Sequence, residues 1–147
     1  MIRISTKGRY GTRFMLELAK NYNVKPMLLK DVARSQDISE GYLQHIVDAL
    51  KGAGLIRSHR VGHGGYTLSR EPKNITLYDI LNTLEGSVNL VECIDTPEVC
   101  ERSKNCTMRD VWGSLSKSLS KSLKEITLDD ILRMEKEKTA NNLVYEI

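Results

Sequence analysis

Three residues, Asp37, Ile38 and Ser39, separate two short stretches whose apolar residues recur at helical spacing, and no other feature narrows the fold of this chain so far. Before them, residues 29–36 place Val32 and Ala33 on one side. After them, residues 40–52 carry Leu43, Ile46, Val47 and Leu50 on one face, the three-and-four step of an amphipathic helix. Ser39 is a good N-cap, because its hydroxyl can accept from a backbone N–H that the first helical turn leaves unpaired. The run GAG at 52–54 ends the helix, glycine being the residue on which helices commonly stop. Two short helices joined by so tight a connection have the spacing of a helix-turn-helix.

The flanks extend that motif. Residues 8–22 hold Tyr10, Phe14, Met15, Leu18, Ala19 and Tyr22 in one helical stripe, closed by VKP at 24–26 because proline cannot continue a helix. Residues 55–60 and 66–70 read as two short strands around the glycine-rich turn VGHGG at 61–65. Three helices followed by a basic hairpin is the order of a winged helix-turn-helix. The expected fold is therefore mainly α with a small β-hairpin wing, an α+β arrangement.

Beyond Pro72 the chain repeats a phrase: ITLYDIL at 75–81 returns as ITLDDIL at 126–132. Thr76 with Asp79, and Thr127 with Asp130, have the spacing of a capping box. The surroundings do not match, so the echo reads as two similar helix starts rather than a true repeat; the first helix ends near Gly86. Between them, residues 107–125 set Met108, Trp112, Leu115, Leu119 and Leu123, with Ile126 just beyond, along one face and Lys117, Lys121 and Lys124 along the other. A helix of about 20 residues spans roughly 30 Å, longer than its neighbours here can cover, so a second copy of the chain is the expected cover. After Arg133 the composition turns polar, and a tail mobile at its end is expected. The chain divides at 1–72, the winged unit; 73–106, a linking helix and cysteine-bearing loop; and 107–147, a long dimerisation helix and tail.

Net charge is +3, but it is unevenly spread. Residues 1–70 hold 12 Lys and Arg against 5 Asp and Glu, a balance of +7, whereas residues 71–147 hold 10 against 14, a balance of −4. A basic half suits a polyanion. In a helix-turn-helix, side chains near the start of the second helix reach base edges in the major groove. Those positions are Ser39, Gly41, Tyr42, Gln44 and His45. Gln44 can bond adenine in two places, His45 can donate or accept, Gly41 leaves room for backbone approach, and Tyr42 can reach the sugar-phosphate. In the wing, Arg60 and His63, with Gly64 beside them and Arg57 and His59 behind, suit a narrow minor groove. Lys7, Arg9 and Lys30 are candidate phosphate contacts. Double-stranded DNA with a two-fold operator, met by a homodimer, is the expected partner.

Cys93, Cys100 and Cys106 lie in one polar stretch broken by Pro97, which reads as a loop. An odd number cannot all pair within the chain. Soft thiolates gathered this way suit an iron–sulfur cluster, zinc or a redox switch, zinc being disfavoured because no paired C-x2-C spacing is present. An enzyme with a cysteine nucleophile needs a base beside the thiol, yet His45, His59 and His63 all fall in the winged half; the chain is not expected to be an enzyme. No run of about 18 apolar residues exists to cross a membrane, and the first residues lack an apolar signal core. The cytosol is the expected compartment.

With these residues set out, the chain resembles the Rrf/BadM family of winged-helix regulators, and within it the iron–sulfur cluster regulators. The resemblance covers roughly residues 1–135 and rests on STKGRY at 5–10, ISEGYLQ at 38–44, RVGHGGY at 60–66, ITLYDI at 75–80 with Glu85 and Gly86, and the cysteines followed by Val111 and Trp112. It implies a dimer through the long helix and a cluster on Cys93, Cys100 and Cys106, 2Fe–2S ahead of 4Fe–4S. It also implies control of iron–sulfur biogenesis or a related iron, sulfur or redox response. Cluster-free members that govern sulfur metabolism through a metabolic-enzyme partner are the alternative. Arg109 stands where the 2Fe–2S regulators have a histidine ligand, Gly8 and Arg9 where the nitric-oxide sensors have an aspartate, and Gln44 where a glutamate sets operator class. A guanidinium does not ligate iron here; Asp110, Glu92, Asp95 or Glu101, a partner subunit's side chain or an external ligand is left for the fourth position.

Overall fold

A computed structural model describes residues 2–145. Helix α1 (Thr6–Lys20) begins at Ser5, whose hydroxyl accepts from the Gly8 N–H, and is followed by α2 (Leu29–Gln36) and α3 (Glu40–Gly52). Ser39 caps α3 by accepting from the Tyr42 N–H at 3.2 Å. Asp37 takes the left-handed conformation that lets the chain turn so tightly between the two helices. Strands β1 (Ile56–His59) and β2 (Gly65–Leu68) form an antiparallel hairpin in which Ile56 faces Leu68 and His59 faces Gly65.

The hairpin gains a third, one-residue edge. Met27 and Tyr66 exchange both backbone hydrogen bonds at 2.9 Å. That crossing explains Gly65: at φ +115° a side chain is strained, and any Cβ there meets the Met27 carbonyl. Phe14, Met15 and Leu18 of α1, Val32 of α2, Leu43, Ile46 and Leu50 of α3, and Ile56 and Leu68 of the hairpin close one core.

Helix α4 (Leu77–Glu85) starts at the Thr76–Asp79 capping box and stops at Gly86, as its sequence signals indicate. It lies unusually close across α1. A Cβ on Gly11 meets the Leu84 side chain, and one on Gly8 meets Glu85. The Glu85 carboxylate in turn accepts from both the N–H and the hydroxyl of Ser5, at 3.0 and 2.6 Å. The cysteine-bearing stretch is not the plain loop expected: it contains the short helix α5 (Glu92–Asp95) and single 3-10 turns at Pro97–Val99 and Ser103–Asn105.

The C-terminal part gives one match and one difference. Helix α6 (Thr107–Glu125) has the expected bounds. The polar stretch beyond Arg133, expected as a tail mobile at its end, is helical: α7 (Leu128–Tyr145) runs back along α1. Leu128 is fully buried in the common core, and Lys20 bridges Glu17 at 2.8 Å and Glu135 at 2.9 Å. Burial works against the charge on Lys20, but its bonds and attraction to the two carboxylates prevail and hold the ammonium above its usual pKa.

The two echoing phrases also meet. Leu77 N–H donates to the Ile126 carbonyl at 2.8 Å and Leu128 N–H to that of Ile75 at 2.9 Å, so Thr76 and Thr127 form an antiparallel bridge. Thr127 and Asp130 cap α7 as Thr76 and Asp79 cap α4. Hydrogen bonds from the Thr127 N–H and hydroxyl hold the Asp130 carboxyl below its ordinary range, with Arg133 adding attraction.

The α1–α4 approach is directly testable. Gly11→Ala overpacks against buried Leu84 and is expected to destabilise the fold by about 1–3 kcal/mol, read from urea denaturation. Leu84→Ala in the same chain opens the space, so the double variant should be less destabilised than the sum of the two singles; strict additivity would refute the close packing.

Candidate nucleic-acid interface and cysteine segment

The start of α3 and the wing leave a polar, basic surface. Ser39, Gly41, Tyr42 and His45 are exposed and Gln44 is half-buried. The Ser39 oxygen is committed to its cap, yet the hydroxyl hydrogen remains free to donate. A Cβ on Gly41 would meet nothing within 4 Å, so no packing inside the chain requires glycine there. Tyr42 is held edge-on against Tyr10 with ring centroids 6.0 Å apart, and Arg13 lies 5.7 Å from the Tyr10 ring. Gln44 Nε2 donates to Asp48 Oδ1 at 2.8 Å. One amide hydrogen is thus engaged, while the other and the amide oxygen stay available, the pair that bonding an adenine edge requires.

Arg60 and His63 are exposed at the wing tip, and Gly64 is half-buried beneath it. Lys7 and Arg9 lie in the first turns of α1 and Lys30 in that of α2. Among the described residues, no carboxylate pairs with Lys7, Arg9, Lys30 or Arg60. Sequence reasoning passed over the Tyr10 platform and the Asp48 hold on Gln44. The second had a signal: positions 44 and 48 are one helical turn apart.

The three thiols are free; Cys93 and Cys106 are half-buried and Cys100 is exposed. Cys106 is the N-cap of α6, its sulfur accepting from the Arg109 N–H at 3.4 Å. Arg109 Nε donates to the Cys93 carbonyl at 2.9 Å, tying both ends of the segment to the first turn of α6. Further along the helix, buried Ser116 accepts from the Leu90 N–H at 3.0 Å and donates to the Trp112 carbonyl at 2.7 Å. The donor set fits an iron–sulfur cluster in kind, three soft thiols on short turns. As arranged, no three His, Cys, Asp or Glu side chains among the described residues gather into a metal-holding group.

On the same helix Met108, Val111, Trp112, Leu115 and Leu119 are all exposed. Leu123 and Ile126, the remaining members of the expected stripe, are half-buried. No described helix is long and apolar enough to cross a membrane.

A helix-turn-helix with a basic wing, its cations turned to solvent, defines a winged-helix DNA-binding transcription regulator rather than an enzyme. Comparison with known proteins agrees: the model of the Rrf2 family, described as iron-dependent transcriptional regulators, matches residues 4–134, and the chain belongs to that family. It is 38% identical over 130 residues to the HTH-type transcriptional regulator CymR of Bacillus subtilis, covering 88% of this chain and 89% of that one. The solved structure of CymR, the global cysteine regulator of B. subtilis, superposes with a TM-score of 0.75 at 39% identity, over 91% of this chain and 98% of that one. IscR of T. potens superposes with a TM-score of 0.76 at 36% identity, over 93% and 90% of the two chains.

The hydrogen bond to Asp48 yields a specific expectation. Asp48→Ala frees the Gln44 amide to rotate and, with Gln44 as the expected base reader, should lower discrimination at the base pair it contacts by up to about tenfold, of order 1 kcal/mol. Non-specific affinity should rise with loss of the negative charge. Competition between selected and scrambled duplexes measures both, and unchanged discrimination would show that Asp48 does not orient Gln44.

Proposed function

We propose that the chain is a homodimeric, sequence-specific DNA-binding regulator whose operator binding follows the state of Cys93, Cys100 and Cys106, with an iron–sulfur cluster as their occupant. In this reading it governs iron–sulfur biogenesis or a related iron, sulfur or redox response. The observation that carries it is the arrangement on one chain of three surfaces: solvent-facing unpaired cations on α3's motif and the wing, an uncovered apolar stripe on α6, and free thiols bound to the first turn of that same helix.

Residues 1–72 are the DNA-reading unit, residues 73–106 carry the sensor, and residues 107–147 join two copies. Ser39, Gly41, Tyr42, Gln44 and His45 meet bases and backbone in the major groove. Arg60, His63 and Gly64 enter the minor groove, and Lys7, Arg9 and Lys30 bind phosphates. Cys93, Cys100 and Cys106 would hold the cluster, which when bound supplies a group responsive to iron and redox state, 2Fe–2S ahead of 4Fe–4S. Residues of this chain carry the response onward: Arg109 joins the Cys93 backbone to α6 and Ser116 joins Leu90 to it, so a change in residues 90–106 bears on the helix that meets the second copy.

A second reading keeps the DNA half and replaces the sensor: a cluster-free regulator of cysteine or sulfur metabolism that acts through a metabolic-enzyme partner. The likeness to CymR favours it. So does Arg109, which stands at the expected fourth-ligand position and is already committed to the Cys93 carbonyl.

Purification without oxygen separates the two. A coloured protein with matched iron and sulfide, lost in Cys93→Ala, Cys100→Ala or Cys106→Ala, is the expected result; a colourless protein after reconstitution would sink the cluster and leave the second reading. The dimer has its own test. Leu115→Asp and Leu119→Asp together place charge in the apolar stripe and should yield a folded monomer by light scattering, with operator affinity reduced by at least about a hundredfold, roughly 3 kcal/mol. A variant that remains dimeric would place the interface elsewhere.

A further inference from the structure

Arg57 and His59, which the sequence sets behind the minor-groove residues of the wing, lie on an outer face of the hairpin to which the proposed function gives no contact of its own. Strand alternation puts Arg57, His59 and Thr67 on the side opposite the buried Ile56 and Leu68. Arg57 faces Thr67 across the ladder, and His59 Nε2 lies 2.7 Å from the Thr67 hydroxyl, which fixes the imidazole on that face. The turn after α1 runs alongside and brings Lys25. Together they border a shallow groove of about 360 Å³ that also presents Asn21 and Ser69. No Asp or Glu lines it. Among the described residues no carboxylate pairs with Lys25 or Arg57. A concave, acid-free surface with two cations, a histidine and neutral donors has the chemistry of a phosphodiester site.

Position decides which phosphodiester. His59 directly precedes Arg60, so the groove opens onto the wing tip. Arg57 sits three residues back, roughly 10 Å along a strand at about 3.3 Å per residue. A wing tip in the minor groove, which is only about 6 Å wide, has a sugar-phosphate strand close on either side.

We propose that this groove is an additional, sequence-independent DNA contact, in which Lys25, Arg57 and His59 take a backbone phosphate of the duplex flanking the base pairs read by α3 and the wing tip. The proposal rests on the DNA-binding reading and extends its footprint outward.

The test uses the full chain, an operator obtained by in-vitro selection from random duplexes, and fluorescence anisotropy across a series of potassium chloride concentrations. Two duplexes are compared, one trimmed to the selected core and one carrying flanks of about ten base pairs. On the flanked duplex, Lys25→Gln and Arg57→Gln should each reduce the slope of log affinity against log salt by about 0.9 for every phosphate no longer neutralised, with selected and scrambled flanked duplexes weakened alike. On the trimmed duplex both variants should match the parent. Unchanged slopes on the flanked duplex would overturn the proposal. So would an equal weakening on the trimmed one, which marks a general charge effect, or a weakening confined to the selected sequence, which marks base reading. A parent chain that binds no duplex at all would instead sink the DNA reading itself. Both side chains are exposed, so matching thermal melts of parent and variants control for folding.

Discussion

The close passage of α4 over α1 is the constraint on which the rest of the molecule depends. Two helices normally keep 8–10 Å between their axes because side chains fill the gap. Here Gly8 and Gly11 remove side chains from α1 where Leu84 and Glu85 cross it. Glu85 then satisfies the Ser5 N–H and hydroxyl at the N-terminus of α1, where a negative charge also complements the helix dipole. The consequence is positional. Helix α4 leads directly into the cysteine-bearing segment and packs on α6, while α1 holds α3 through the shared core. One seam of missing side chains therefore fixes the cysteine-bearing half against the half that contains α3.

A second tie closes the far side. The phrases at 75–77 and 126–128 meet as an antiparallel bridge, each beginning a helix. The N–H groups of Leu77 and Leu128 serve the bridge, and those of Thr76, Thr127, Asp79 and Asp130 serve the caps. Helix α7 is thereby anchored at its first turn, buries Leu128, and reaches α1 again through Lys20 and Glu135.

What the sequence disclosed and what it concealed follow one physical division. The helix-turn-helix is legible because its signals are local: apolar spacing, the Ser39 cap and the GAG stop act within a few residues of one another. The same holds for α6, whose bounds match the expectation. Pairings between distant segments are not legible. Nothing near Gly65 announces that Met27 will cross it, and the echo at 126–132 carries no sign that its two copies will pair. The start of α7 is legible in the Thr127–Asp130 capping box, but its length is not; anchorage at Leu128 and Lys20 accompanies a helix that composition beyond Arg133 does not ask for. In the candidate site, residue types are visible and geometry is not. Three cysteines close in sequence, with 3-10 turns at Pro97–Val99 and Ser103–Asn105 between them, do not gather with any His, Asp or Glu into a metal-holding group among the described residues.

Magnitudes indicate why a sensor would sit at this end of α6. Moving a two-state regulator from 1:99 to 99:1 requires roughly 5.5 kcal/mol of differential stabilisation. Of the hydrogen bonds that join the cysteine segment to α6, the one from the charged Arg109 guanidinium to the Cys93 carbonyl contributes about 1.5–3 kcal/mol and the one from the Arg109 N–H to Cys106 about 1 kcal/mol. Within one chain they are too weak to carry a switch alone. Met108, Val111 and Trp112 follow immediately on α6 and keep 48%, 42% and 37% of their surface exposed, so covering them fully is worth somewhat under half of the about 1.5–3 kcal/mol that burying a whole side chain of this kind gives. In the proposed dimer a change at one segment recurs by symmetry at the other, doubling whatever it contributes. In the proposed dimer the Arg109 hydrogen bonds would act as a trigger that positions the first turn of α6, and Met108, Val111 and Trp112 would supply the further energy by which two winged units are held in, or released from, the spacing an operator demands.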